Sequence, residues 1–324
     1  MRRLILKIGL VSAAVVGSVL TGAAPSSAAV PPFTDSTTWA YLSNPASGMV
    51  VDVAGQSRAE RASIWTWPFH GDLNQHWEVK SVPNTPYYTI AATHSRMCLD
   101  VRWGNWNNGT EVWQWPCHGG DPQLWKPETF AVDQFGYSTF RLRNKGSQRC
   151  LEVPGGVAPQ GAVLRIWDCH GGRNQEWRQG NFLSNPTRGH VADIRDGNTA
   201  SGAQAWMWPF HGGANQEVYA PYASGFGAQA RRFSFLHSGK CLGVQGRSPQ
   251  NGALVVQLPC DLADTNQVWL QERVLTDKWG HPINRYRNKL TGKCLDIWVH
   301  DAPVGARLLQ WDCHTGWNQQ WRIG

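Results

Sequence analysis

The sequence predicts an all-β chain of two tandem halves, each made of three similar strand-rich units. One phrase recurs six times, eight cysteines fall into four equally spaced pairs, and 34 glycines with 19 tryptophans accompany only 16% charged residues. Such a composition supplies turns and flat apolar faces, and no segment keeps a sustained helical period.

The repeated phrase is a glutamine two residues before an apolar side chain, usually tryptophan: Gln75–Trp77, Gln123–Trp125, Gln175–Trp177, Gln216–Val218, Gln267–Trp269 and Gln319–Trp321. Successive glutamines lie 48, 52, 41, 51 and 52 residues apart, the period of a repeat architecture. Unit one resembles four (WPFHGDLNQ, WPFHGGANQ), two resembles five (HSRMCLD, HSGKCLG) and three resembles six (NKGSQRCLE, NKLTGKCLD). A three-unit domain was therefore duplicated whole, and the domains are expected over 39–179 and 180–324. Short runs such as VVDVAG, CLDVRW and AVLRIWDC, broken by Gly, Pro and Asn, predict strands joined by turns. Three such units closing on one another would leave no exposed sheet edge.

The cysteines pair as Cys98/Cys117, Cys150/Cys169, Cys241/Cys260 and Cys294/Cys313, each 19 apart. Constant spacing in an exported chain predicts one local disulfide per unit, each contributing on the order of 3 kcal/mol by loop closure. A zinc site wants shorter spacing. Units one and four carry Val50/Phe69 and Val191/Phe210 at the same two positions, an apolar pair filling the place of a buried bridge.

The head MRRLILK, an apolar run from Ile8 to about Leu20 and small residues up to Ala29 predict an export signal over 1–29 and a secreted, extracellular protein. Arg2, Arg3 and Lys7 fit general secretory and twin-arginine patterns alike. Their removal lowers the formal charge of +7 by three, to +4, too mild for nucleic acid as the main partner. No later run of 18 apolar residues predicts membrane insertion.

The pattern Cys-x-Asp, Trp-x-Cys and Asn-Gln-x-Trp, three times per half, closely resembles the ricin B-chain type of lectin and the related family 13 carbohydrate-binding modules. The likeness extends over essentially the whole chain after the signal. It implies two tandem β-trefoil domains whose Gln-x-Trp residues build a pseudo-threefold core, while an Asp, an aromatic and an Asn or Gln in each unit form a shallow sugar pocket. The chemistry agrees: a sugar's C–H face lies well on an indole, and its vicinal hydroxyls suit a carboxylate beside an amide.

The candidate stacking aromatic falls 15 residues after the carboxylate position. Three units are complete: Asp52, Trp67, Asn74 and Gln75; Asp193, Trp208, Asn215 and Gln216; Asp296, Trp311, Asn318 and Gln319. Two are weaker candidates. Unit three keeps Trp167, Asn174 and Gln175 but has Glu152, and unit two has Asp100, Trp115 and Gln123 but Pro122 where an Asn is expected. Unit five, with Gly243 and Leu258, is expected to be structural only. The glutamines have two readings, ligand contact or a tie between turn and backbone. So do His70, His118, His170, His211 and His314: a donor to sugar, or the closing bond of a turn. Trp65, Trp113 and Trp206, two residues before the stacking position, either widen the platform or pack on a neighbouring turn.

Neither a catalytic motif nor a clustered metal-ligand set is present in the sequence, so no enzyme activity, catalytic residue, metal or cofactor is expected. The expected partner is carbohydrate, of galactose or xylan type, bound at several weak pockets. The alternative is the cell-binding component of a toxin or other exported complex, with a protein partner.

Overall fold

The computed structural model describes residues 36–132, 138–155, 160–277, 282–301 and 304–324; the expected export signal lies outside them. The described residues form strands and single-turn 3-10 helices, without α-helix, and none of their helices is long and apolar enough to cross a membrane. The chain is all-β, built as tandem β-trefoils.

Each unit is organised round one antiparallel hairpin. The strand carrying the carboxylate position pairs with the strand carrying the aromatics: Met49–Val53 with Ile64–Trp67, Met97–Val101 with Val112–Pro116, and Cys150–Glu152 with Arg165–Trp167. The second half repeats this with His190–Ile194 and Ala205–Trp208, Lys240–Val244 and Val255–Leu258, and Cys294–Ile297 and Ala306–Trp311. Side chains alternate across the pleat, so Ile64 and Thr66 are buried while Trp65 and Trp67 share the outer face.

The tryptophans of the repeated phrase form the centre. Trp77, Trp125 and Trp177 are fully buried in one apolar core, and Trp269 and Trp321 in a second, where Val218 replaces the third indole. Each indole N–H finds a carbonyl, as a buried donor must. The acceptors are Val51 at 2.9 Å, Leu99 at 3.0 Å, Leu151 at 3.0 Å, Leu242 at 3.0 Å and Leu295 at 3.1 Å. All five precede the carboxylate position by one residue, so the core fixes the strand that presents the candidate site.

The ring closes by one repeated bond between units. Nine residues after the carboxylate position, a backbone N–H donates to the carbonyl beside the next unit's stacking residue. Arg61 bonds Gln114, Gly109 bonds Ile166 and Gly161 returns to Thr66; Gly202, Gly252 and Gly305 bond Gln257, Gln310 and Met207. Buried Asn44, Asn144, Asn185 and Asn288 reinforce the closure by donating to carbonyls of neighbouring turns, as Asn44 does to Glu176 at 2.8 Å.

All four expected disulfides are formed: Cys98–Cys117, Cys150–Cys169, Cys241–Cys260 and Cys294–Cys313, with Cα atoms 5.0 to 5.1 Å apart. The expectation that each bridge is buried is corrected, because only its first cysteine is. Cys98, Cys150, Cys241 and Cys294 lie on the carboxylate strand and are shut off from solvent. Cys117 and Cys260 are exposed, and Cys169 and Cys313 are half-buried. The reason is their place in the hairpin: each lies just past the end of the aromatic strand, off the buried carboxylate strand.

The cysteine-free units correct the same expectation from the other side. Val50, Phe69, Val191 and Phe210 do more than fill the place of a bridge: with Tyr41 and Phe182 they form a third apolar cluster joining the two halves. Phe69, at the position of the exposed Cys117, is buried because the second half covers it. It lies 5.2 Å from Phe210 and 6.0 Å from Phe182, centroid to centroid, and Phe182 lies 4.9 Å from Phe210. Arg322 adds a polar tie, donating to the Gly71 carbonyl at 2.7 Å.

Candidate functional site

The carboxylates come first, because everything else is arranged round them. Asp52, Asp100, Glu152, Asp193 and Asp296 are all at most 4% exposed. Buried carboxylates require donors. Asp52 has four: Trp65 Nε1 at 2.7 Å to Oδ1, with His70 Nε2 at 3.1 Å, Asn74 Nδ2 at 2.8 Å and Gln75 Nε2 at 2.9 Å to Oδ2. Asp193 has three: Trp206 at 3.0 Å and Asn215 at 2.8 Å to Oδ1, and His211 at 3.0 Å to Oδ2. Asp296 receives Asn318 on both oxygens and Gln319 at 2.7 Å on Oδ2. Burial pushes the Asp100 and Asp296 carboxyls above the ordinary aspartate value, with the surrounding donors acting the other way.

The residue 13 positions after the carboxylate is its direct cross-strand partner, Asp52 opposite Trp65 and Asp193 opposite Trp206. That indole donates to the carboxylate and stacks on the candidate platform: Trp65 on Trp67 at 4.6 Å and 17°, Trp206 on Trp208 at 4.6 Å and 16°. Trp65 and Trp206 thus join carboxylate to platform, and each also borders a turn of the neighbouring unit, at Gly161 and Gly305. In unit two Trp113 plays this part, buried, 2.8 Å from Asp100 and stacked on Trp115 at 5.3 Å. Unit six has Leu309 there, and Trp298 approaches Trp311 at 5.7 Å from a different position. Trp67, Trp115, Trp167, Trp208 and Trp311 are half-buried, with part of each ring reaching solvent.

Unit three differs in kind. Glu152 is gripped by Arg165 through Nε at 3.1 Å and Nη2 at 2.8 Å, and the guanidinium lies 4.3 Å over Trp167. Asn174 reaches the Val153 carbonyl at 3.0 Å instead of the carboxylate. In unit five, a Cβ at Gly243 would sit 2.9 Å from Leu258, so Leu258 fills the space that an acidic side chain occupies elsewhere.

Of the two readings of the glutamines, the geometry favours the tie between turn and backbone. Gln75, Gln123, Gln175, Gln216 and Gln319 are all fully buried. Each accepts the backbone N–H five residues earlier and donates to the carbonyl seven earlier, as Gln75 does with His70 and Pro68, both at 2.9 Å. The pattern repeats through Gln123, Gln175, Gln216 and Gln319. With both ends of the amide spent on the turn, these side chains support the site from beneath.

The histidines take the turn-closing role and a second one. Nδ1 of His70, His118, His170, His211 and His314 accepts the backbone N–H two residues on, at 2.9 to 3.2 Å. A backbone N–H can only donate, so Nδ1 is unprotonated and Nε2 carries the hydrogen. That N–H points at the carboxylate, closely in His70, His170 and His211 and at 3.4 Å in His118 and His314. Among the described residues no group of three metal-ligating side chains occurs.

The sequence singles out Trp65 and Trp206 without fixing their role. What assigns it is the hairpin register, which places the thirteenth residue opposite the carboxylate.

A sequence profile of the ricin-type beta-trefoil lectin domain matches residues 86–218 and 229–324, and a related domain-like profile matches 33–115. Among solved structures, the chain is similar to a designed 3-fold symmetric protein, ThreeFoil, at 30% identity over 44% of this chain and 96% of that one, TM-score 0.40. It is similar to a mosquitocidal holotoxin at 18% identity over 90% of this chain and 34% of that one, TM-score 0.40. Agglutinin from Abrus precatorius matches at 16% identity over 90% of this chain and 98% of that one, TM-score 0.35.

Proposed function

Because this chain belongs to the ricin-type β-trefoil lectin family, whose domains bind carbohydrate, we infer that it is an exported, non-catalytic lectin using several pockets at once. The observation that carries this reading is a threefold recurrence: in units one, four and six a buried aspartate, an asparagine donating to it and a half-buried tryptophan 15 residues on occupy equivalent places. A sugar ring lays its C–H face on Trp67, Trp208 or Trp311 and directs hydroxyls at the carboxylate edge.

Each of the three carboxylates keeps acceptor capacity. A carboxylate offers about four acceptor positions. In each of the three, one oxygen has a single close donor: Oδ1 of Asp52 accepts from Trp65 alone, Oδ2 of Asp193 from His211 alone and Oδ1 of Asp296 from Asn318 alone. One shallow pocket corresponds to roughly millimolar affinity, about 4 kcal/mol. Three on one frame raise avidity by about 10² to 10⁴ on a repeating glycan.

Binding to a broad glycan and polysaccharide array, compared with the Trp67→Ala, Trp208→Ala, Trp311→Ala triple variant, tests this. The parent is expected to bind, and the folded variant to lose at least about 10² in avidity. Retained binding would remove the pocket assignment, and no binding by the parent would remove the lectin reading.

A further inference from the structure

Two positions of the repeat that are repeatedly left-handed glycine carry large side chains, Trp103 and Arg61, that meet at one pocket. Three residues after the carboxylate, Gly55, Gly155 and Gly246 are left-handed, with φ of 62°, 77° and 61°, Asp196 in unit four has 57°, and Val299 in unit six is not left-handed. Unit two places Trp103 there, at φ 58°. Nine residues after the carboxylate the backbone is left-handed again, with Gly109, Gly161, Gly202, Gly252 and Gly305 in units two to six. Unit one has Arg61, at φ 68°. A Cβ disfavours this conformation, so neither side chain is favoured by its backbone.

The glycines border the platforms. A Cβ at Gly161 would lie 3.4 Å from Trp67, one at Gly305 3.4 Å from Trp208 and one at Gly252 3.7 Å from Trp311. The same border of unit two is formed by Arg61, whose guanidinium carbon lies 4.8 Å from the Trp103 ring and 5.3 Å from Trp115. Trp103 is 64% exposed and stands edge-on to Trp113 at 4.7 Å. Cation–π contact holds a guanidinium in place without using its N–H donors.

Those donors are uncommitted. Among the described residues Arg61 is exposed and has no carboxylate at ion-pair distance, whereas Arg102 beside it is paired with Glu111 at 2.7 Å. Unit two has also lost the asparagine arm, to Pro122. On its far flank Trp103 lines an open groove of about 520 Å³ together with Asn105, Asn107 and Asn108.

We propose that unit two is a subsite for an acidic sugar, whose anionic group pairs with Arg61 while its ring lies against Trp103. The anion is a uronic acid carboxylate or a sulfate ester, since both offer oxygens to a guanidinium fork. This rests on the sugar-binding reading and deepens it: the complete pockets take neutral hydroxyls, and this one reads charge.

The test uses the full chain and matched polysaccharides: a xylan with and without glucuronic acid branches, and a galactan with and without sulfate. The parent is expected to bind at least one acidic member about ten-fold more tightly than its neutral counterpart at low ionic strength. That preference fades as salt is added. The arm that shows it names the anion. Arg61→Gly, restoring the sibling residue, is expected to lose the preference and keep the neutral affinity, whereas Trp103→Gly removes the ring contact and is expected to weaken binding of the acidic member most. A parent that binds neutral and acidic members alike, or an Arg61→Gly variant that keeps the preference, overturns the proposal while leaving the lectin reading intact. No binding to any member overturns both.

Discussion

A side chain with a Cβ in the left-handed region is strained by roughly 1 kcal/mol, and Trp103 and Arg61 both sit there. Glycine at either position relieves that strain, so both variants are expected to melt at or above the parent temperature by calorimetry, even as acidic-glycan binding weakens. A different pair of residues sets the acid response. His94 and His237 are buried, each donating Nε2–H to a carbonyl, Ser57 and Asn198. Burial lowers both imidazoles below the ordinary range, with the carbonyl partner acting against it. Unfolded, they protonate near 6.5; folded, they resist until lower pH. Their stability is thus fully present above about pH 6.5 and is lost as pH falls toward the lowered folded values. Thermal melts between about pH 6.5 and 5 are expected to fall less steeply for His94→Gln, His237→Gln than for the parent. At this scale the sequence disclosed which residue types recur and left the direction of each side chain open. Gln75 and Trp65 show why: an amide facing inward and one facing ligand have the same spacing, and only the partners of the turn distinguish them. The cysteines show it too, since equal spacing says nothing of which sulfur faces water.

The hairpin is the element that makes the site. Its register sets Asp52 opposite Trp65 and Val50 opposite Trp67, so carboxylate, connecting indole and platform follow from one pairing. The repeat length and the Gln-x-Trp core were legible because they depend on spacing along the chain. The connecting indole was not, because hairpin register is fixed by the intervening turn, whose length no periodicity reveals. Closure between hairpins depends on buried asparagines. Asn144 donates to the carbonyls of Asp121, Pro122 and Leu124 and accepts the N–H groups of Gly146 and Ser147. Asn144→Ala leaves these groups without their side-chain partner and is expected to destabilise the first domain by roughly 3 kcal/mol, measured by denaturant unfolding.

Across the whole molecule, the two cysteine-free units are the two that meet. Duplication supplied two identical trefoil plans, and the seam was made by leaving one unit of each unbridged and apolar. Val50→Cys, Phe69→Cys restores the residues that the bridged units carry, adding about 3 kcal/mol of loop closure to the first domain while removing Phe69 from the seam. Calorimetry is expected to show a single parent transition split into two, one per domain. The bridges have a further consequence, for synthesis. Eight cysteines admit 105 pairings, yet every native bridge joins a cysteine to the next one along the chain. A polypeptide threading out amino end first completes each bridge before the next partner appears, so an oxidase that simply joins neighbours in order of arrival delivers the native set without reshuffling.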